Sequence, residues 1–212
     1  MARWCSRFAR FLRSPKRNSF VCPRLRSRRR TPLNFSAKFK MLETARLRLL
    51  PWQPEDWVLL RPLATNPEVV RYISNGEPWP DERIREWATR QITHFAKFGF
   101  CFWKLIHKGT GDMIGFCGLQ PVELEGVTEI EIGWWLAPAW WGQGYATESA
   151  REAMRDGFER AGLQRIVSIA MQENVASTRI MEKLGMNFER ETTHRGFAVV
   201  MYAIANPPPV RE

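Results

Sequence analysis

No apolar run in this chain of 212 residues approaches the roughly 20 that a membrane-crossing helix requires. Cysteine is scarce: Cys5, Cys22, Cys101 and Cys117 lie far apart, without the spacing of metal ligands and without a secretory signal. That excludes a zinc ribbon or a secreted disulfide scaffold. Cys101 and Cys117 sit in apolar, strand-like runs and read as buried, reduced thiols of a cytoplasmic protein. There are only three histidines, and His94 and His107 lack the sequence neighbours of a triad or metal site, so both read as surface residues. Acidic residues are missing altogether from positions 1–42, where thirteen Lys or Arg stand.

The formal net charge of +10 therefore describes the leader alone. Beyond it, nineteen basic and twenty-two acidic residues leave the rest mildly acidic. Residues 1–40 admit three readings. Arg3, Arg7, Arg10 and Arg13 alternate with Trp4, Phe8, Phe11 and Leu12 as in a transit segment. Arg24 to Arg30 could serve as an arm on nucleic acid or anionic lipid. The expectation adopted is that an upstream start was chosen, with a disordered, dispensable leader ahead of a domain at 41–205 and a Pro-rich tail at 206–212.

What is present is a strong pattern of elements. Arg46–Leu50 alternates as a strand, and Pro54-Glu55-Asp56 opens a helix. Asn66-Pro67 and Asn75–Pro80 read as loops. Asp81 reads as the cap of a helix carrying Ile84, Trp87, Ala88, Gln91, Ile92 and Phe95 on its inner face. Runs 100–106 and 113–119 form a hairpin, and 129–136 is a third antiparallel strand after a loop around Gly126. Helix 146–161, strand 165–171, a helix opened by Asn174, and strands 187–191 and 197–204 complete the order. This predicts one mixed α/β domain with helices about a central sheet, unlike a doubly wound dinucleotide fold.

The chemistry concentrates after the third strand. Glu129–Leu136 breaks at Pro138 and runs into Trp141-Gly142-Gln143-Gly144-Tyr145-Ala146-Thr147 at a helix start. The two glycines let the backbone turn with no Cβ in the way and leave several amides at the positive end of a helix, a cradle for an anion. No lysine follows, unlike a nucleoside-triphosphate loop. On the strand, Glu129 and Glu131 share one face while Ile130, Ile132 and Trp134 share the other.

This glycine turn, with Asn174-x-x-Ser177 and Met181–Met186 behind it, resembles the GNAT superfamily of N-acetyltransferases. Thr44-Ala45-Arg46-Leu47-Arg48-Leu49 is similar to the opening of its ribosomal-protein N-terminal acetyltransferase branch. One departure is Trp141, which stands where the family's loop usually begins with Gln or Arg. The resemblance implies a mostly antiparallel twisted sheet with helices on both faces. It also implies acetyl-coenzyme A as co-substrate, with no metal. The cofactor-binding residues it implies are Leu136, Gly142, Gln143, Gly144, Tyr145, Ala146, Thr147 and Asn174. The pantetheine arm would pair with the end of strand 129–136, which family members splay from its neighbour.

By the same resemblance, Glu131 takes the proton of the acceptor amine and Ser177 attends the leaving sulfur. A solvated carboxylate and a simple helix cap are the alternatives. Tyr145 and Tyr202 are further candidate proton donors, and Trp79, set between prolines, is the candidate for the acceptor pocket. The acceptor is a peptide N-terminus or a small-molecule amine such as an aminoglycoside, polyamine or amino acid. A non-catalytic acyl-coenzyme A binder is the other class. The expected partners are that amine alone, without a membrane and with nucleic acid only through residues 1–40; a homodimer is left open.

Overall fold

Leu47 and Leu49 are buried while Arg48 between them is exposed, so the first long strand, Leu47–Leu50 (β2), is read out at period two. It follows a two-residue strand, Leu42–Glu43 (β1). The computed structural model describes residues 41–73 and 75–206, and the expectations for the leader and for the tail from 207 fall outside them. A 3₁₀ turn at Pro54–Asp56 leads into Trp57–Ala64 (α1), then Pro67–Val70 (α2) and the long Asp81–Phe98 (α3). Phe102–His107 (β3), Met113–Leu124 (β4) and Val127–Leu136 (β5) form an antiparallel meander. Tyr145–Glu159 (α4), Arg165–Ala170 (β6) and Val175–Lys183 (α5) follow, and Asn187–His194 (β7) with Phe197–Ala205 (β8) closes the order.

These strands make one sheet in the order β1-β2-β3-β4-β5-β6-β8-β7. Every neighbouring pair is antiparallel except β5–β6, which α4 connects as a crossover. Helices cover both faces. Trp87 of α3 packs on Phe116 at 4.6 Å between ring centroids. On the opposite face α4 lies so close that a Cβ on Gly157 would stand 2.6 Å from Leu119.

Three local expectations need correction. Pro67–Val70 is a helical turn, not a loop, because Asn66 Oδ1 accepts from the Glu68 amide at 2.8 Å and Pro67 presets the first φ. Asp81 lies inside α3 after the cap position at Pro80, and its carboxylate meets Arg61 at 2.8 Å. Strands β4 and β5 extend to a two-residue turn at Glu125-Gly126. Pro121 is tolerated within β4 because its missing N–H faces the side where β3 has ended, at Phe102 opposite Gly118.

Candidate active site

Gly142 and Gly144 take positive φ of 73° and 83°, and α4 begins at the next residue, Tyr145. The first bond of its ladder runs from the Glu148 amide to the Gly144 carbonyl at 3.0 Å, so the amides of Gly142 through Thr147 precede it. A Cβ on Gly142 would meet nothing within 4 Å, so the turn opens onto free space at the positive end of a 15-residue helix. A pyrophosphate fits this cradle by charge and by donor set.

The turn is braced from the start of the domain. Glu148 accepts from Thr44 Oγ1 at 2.6 Å, from the Arg46 amide at 3.0 Å and from Arg46 Nε at 2.6 Å. Arg46 Nη1 also donates to the Gln143 carbonyl at 3.0 Å, and its guanidinium lies 4.0 Å over the Tyr145 ring. Burial opposes the charge on Glu148, but these hydrogen bonds more than offset it and hold the carboxyl below its usual range. This gives a physical role to Thr44-Ala45-Arg46, which sequence reading had noted only as a similarity.

Strands β5 and β6 pair at Glu131 and Val167, and no further register pair forms between them among the described residues. Backbone alternation turns the N–H and C=O of Ile132, Trp134 and Leu136 toward β6. Ser168 Oγ donates to the Ile132 carbonyl at 2.9 Å, and Trp141 Nε1 donates to the Leu136 carbonyl at 2.7 Å. The Trp134 groups and the Leu136 N–H remain on the open side. Trp141, the departure in the loop, thus closes one acceptor on the splayed strand and ties the turn to it.

Glu131 stands opposite Gln120 on β4. Gln120 Nε2 donates to Glu131 Oε2 at 3.0 Å, Gln91 Nε2 donates to Gln120 Oε1 at 3.3 Å, and the Phe102 amide donates to Gln91 Oε1 at 3.0 Å. A backbone N–H can only donate, so it fixes the orientation of both amides and aims the last NH₂ at Glu131. Burial pushes the Glu131 carboxyl up to about 7, against the Gln120 bond and the Arg195 charge that pull it down. Glu129, on the same face, is engaged by Arg165 at 3.3 Å. Gly133 follows Glu131 on that face, where a Cβ would be 3.9 Å from Glu131 Oε1 and 3.0 Å from Phe102.

One cavity of about 1050 Å³ joins these parts. Leu136, Gly142, Gly144, Tyr145, Ala146, Thr147 and Asn174 line it, as do Glu131, Ser177 and Trp79. Gln143 is not among the lining residues, because its side chain folds back to donate to the Ala139 carbonyl at 2.9 Å. Asn174 Oδ1 accepts from the Ser177 amide at 3.3 Å and caps α5. Thr178 Oγ1 donates to the Val175 carbonyl, whereas the Ser177 hydroxyl makes no hydrogen bond among the described residues.

Tyr145 is buried, with its hydroxyl 3.2 Å from His107 Nε2. Tyr202 packs edge-on against Phe188 and does not line the cavity. Neither His107 nor His94 is a plain surface residue. Both are half-buried, His107 against Trp140 and Tyr145 and His94 against Phe98. Trp79 is buried against Trp135, and Arg83 lies 4.2 Å over its ring. Sequence reading missed Gln120, Ser168, Arg83, Arg90, His194 and Arg195. The available signal was Gln91, a polar residue on an apolar helix face.

A splayed parallel strand pair, a glycine turn at a helix N-terminus and a half-buried carboxylate in the same cavity define an acyl-coenzyme A-dependent transferase. Comparison with known proteins makes that class specific. Residues 46–187 match the family model for the Acetyltransferase (GNAT) domain. The uncharacterized protein YkkB of Bacillus subtilis is 34% identical over 73% of this chain and 89% of its own. The FsC-acetyl coenzyme A-N(2)-transacetylase of Aspergillus fumigatus is 31% identical over 68% of this chain and 64% of its own. Among solved structures, a GNAT-family acetyltransferase from Bacillus anthracis superposes with TM-score 0.65 at 23% identity, covering 80% of this chain and all of its own. The ribosomal L7/L12 alpha-N-protein acetyltransferase RimL, solved with coenzyme A, gives TM-score 0.66 at 19% identity over 78% and 98% of the two chains. The chain belongs to the GNAT family and is an acetyl-coenzyme A-dependent N-acetyltransferase acting on amines.

Proposed function

We propose that this protein transfers acetyl directly to a primary amine in a ternary complex, with Glu131 as the base. Acetyl-coenzyme A supplies an activated thioester. Glu131 accepts the proton released as the amine nitrogen bonds to the acetyl carbon. Ser177 Oγ–H donates a hydrogen bond to the sulfur as the C–S bond breaks, and the thiolate then takes a proton from solvent. The observation that carries this reading is the Glu131 carboxyl, oriented by Gln120 and brought by burial to about 7. That lies close to the pKa of about 8 of a peptide α-amine, the match a proton acceptor needs. A covalent relay is disfavoured: burial raises both described thiols, that of Cys117 to about 12.

The acceptor is either a protein N-terminal amine, the class named for RimL, or a small-molecule amine. An acetylation assay of the full chain over peptides with different N-termini and over small amines tests both. Acetylation of no amine, with coenzyme A still bound, would leave only a non-catalytic binder.

Gln120 is a positioning residue on this reading. Gln120→Leu removes the donor that favours the ionised Glu131, so its carboxyl must rise further. The ascending limb of the pH–rate profile is expected to move to higher pH, with kcat at pH 7 down several-fold and KM for acetyl-coenzyme A unchanged. Gln120→Asn, which retains an amide, should recover part of the shift. A merely structural role would leave the midpoint where it was.

A further inference from the structure

We propose that the acceptor amine carries a carboxylate within a few bonds of the reacting nitrogen, and that Arg90 and Arg195 hold it beside Glu131. The inference rests on the proton-accepting role of Glu131 and adds the class of acceptor.

The two arginines come from different elements, α3 and the turn between β7 and β8, and line the cavity that holds Glu131 and Gln120. Arg83 and His194 line it beside them. Several arginines of the domain are matched by carboxylates: Arg46 by Glu148, Arg61 by Asp81, Arg155 by Glu152 and Glu159, Arg160 by Asp156, and Arg165 by Glu129 and Glu189, whereas Arg71 and Arg179, which also line this cavity, make no ion pair among the described residues. Neither Arg90 nor Arg195 makes an ion pair among the described residues. Arg90 has Glu86 on its own helix as its favourable charge, and Glu86 lines the same cavity, as do Glu68 and Glu82. The Arg195 charge acts on Arg83, Arg90 and His194 as well as on Glu131. Guanidinium groups that line one cavity and repel one another favour an anion between them, and their fork suits a carboxylate.

Arg195 is also conformationally marked. It takes φ 52° in the two-residue turn Arg195-Gly196, a geometry that favours Asn, Asp or Gly. The other described non-glycine residue with positive φ is Glu125 (φ 51°), whose carboxylate accepts from Thr192 Oγ1 at 2.7 Å and so fastens β7 to the β4–β5 turn. The Arg195 side chain makes no such bond among the described residues.

The test compares matched acceptors on the full-length protein: an amino acid, its carboxamide and the amine lacking the carboxyl carbon. Peptides of equal length with Asp or Asn at the second position form a parallel arm that distinguishes a peptide source from a free amino acid. In the wild type, kcat/KM is expected to favour the carboxylate over its amide at least tenfold. In Arg90→Gln, Arg195→Gln and the double variant that preference should fall toward unity through acceptor KM, with acetyl-coenzyme A KM unchanged; Arg195→Lys should restore part of it. Calorimetric binding of the same acceptors to the coenzyme A complex needs no turnover. An inactive protein that still binds the carboxylate better would sink the transfer reading and keep this one. Equal binding and equal turnover of carboxylate and amide, or a preference that survives the double variant, would overturn it.

Discussion

Glu131→Gln is expected to lower kcat by roughly 10²- to 10³-fold at neutral pH, the range that a positioned proton acceptor contributes, while acetyl-coenzyme A binds as before. Glutamine keeps the shape and can still meet Gln120, so the cavity should not collapse. The wild-type rate should rise with pH through a midpoint near 7, where burial has carried the Glu131 carboxyl, and the variant should lack that limb. Stability carries a second sign. A carboxyl raised from its ordinary 4.5 to about 7 contributes fully below 4.5 and loses its contribution as pH climbs through 7. The Tm of the wild type should therefore fall relative to the variant between pH 5 and pH 8. A variant that is inactive yet gains in relative stability as pH rises identifies a costly carboxylate kept for chemistry. A variant with an unchanged pH limb would remove Glu131 from the base role.

Much of this could be read in the sequence because the informative patterns are local. Alternation in Leu47-Arg48-Leu49, the helical spacing of Ile84, Trp87 and Ala88, and the glycines before α4 each depend on residues within one element. The donor side of the site is equally local, since a strand end, a turn and a helix start follow one another along the chain. The acceptor side is not. Gln120 meets Glu131 only because β4 and β5 pair in one register, and Gln91 reaches Gln120 only because α3 crosses that face. Arg90 and Arg195 line one cavity although they stand on α3 and on the β7–β8 turn, a relation that no spacing encodes. Trp141 shows the same limit on a smaller scale. Its mismatch with the family loop was visible in the chain, but its bond to the Leu136 carbonyl required the turn to be folded.

Gly142→Val is expected to raise KM for acetyl-coenzyme A by on the order of 100-fold, an effect separable from strain by Gly162→Val. Gly142 and Gly162 have nearly the same backbone, with φ of 73° and 68°, and a Cβ at either would meet nothing within 4 Å. Both substitutions should therefore cost a similar amount of stability, about 1–2 kcal/mol for a side chain forced into the left-handed region. What differs is the end of α4 at which each stands. Gly162 follows the C-terminus, while Gly142 fronts the amides at the N-terminus, where a branched side chain fills the cradle and turns the donors away. Losing one or two charge-assisted hydrogen bonds at about 1.5–3 kcal/mol each corresponds to the expected change, since about 1.4 kcal/mol is tenfold in affinity. kcat at saturating cofactor should change little, because Glu131 and Gln120 lie on β5 and β4, away from the turn. Equal KM values for the two variants would show that the glycines serve only to turn the chain. A defect confined to Gly142→Val would assign the anion cradle to those amides.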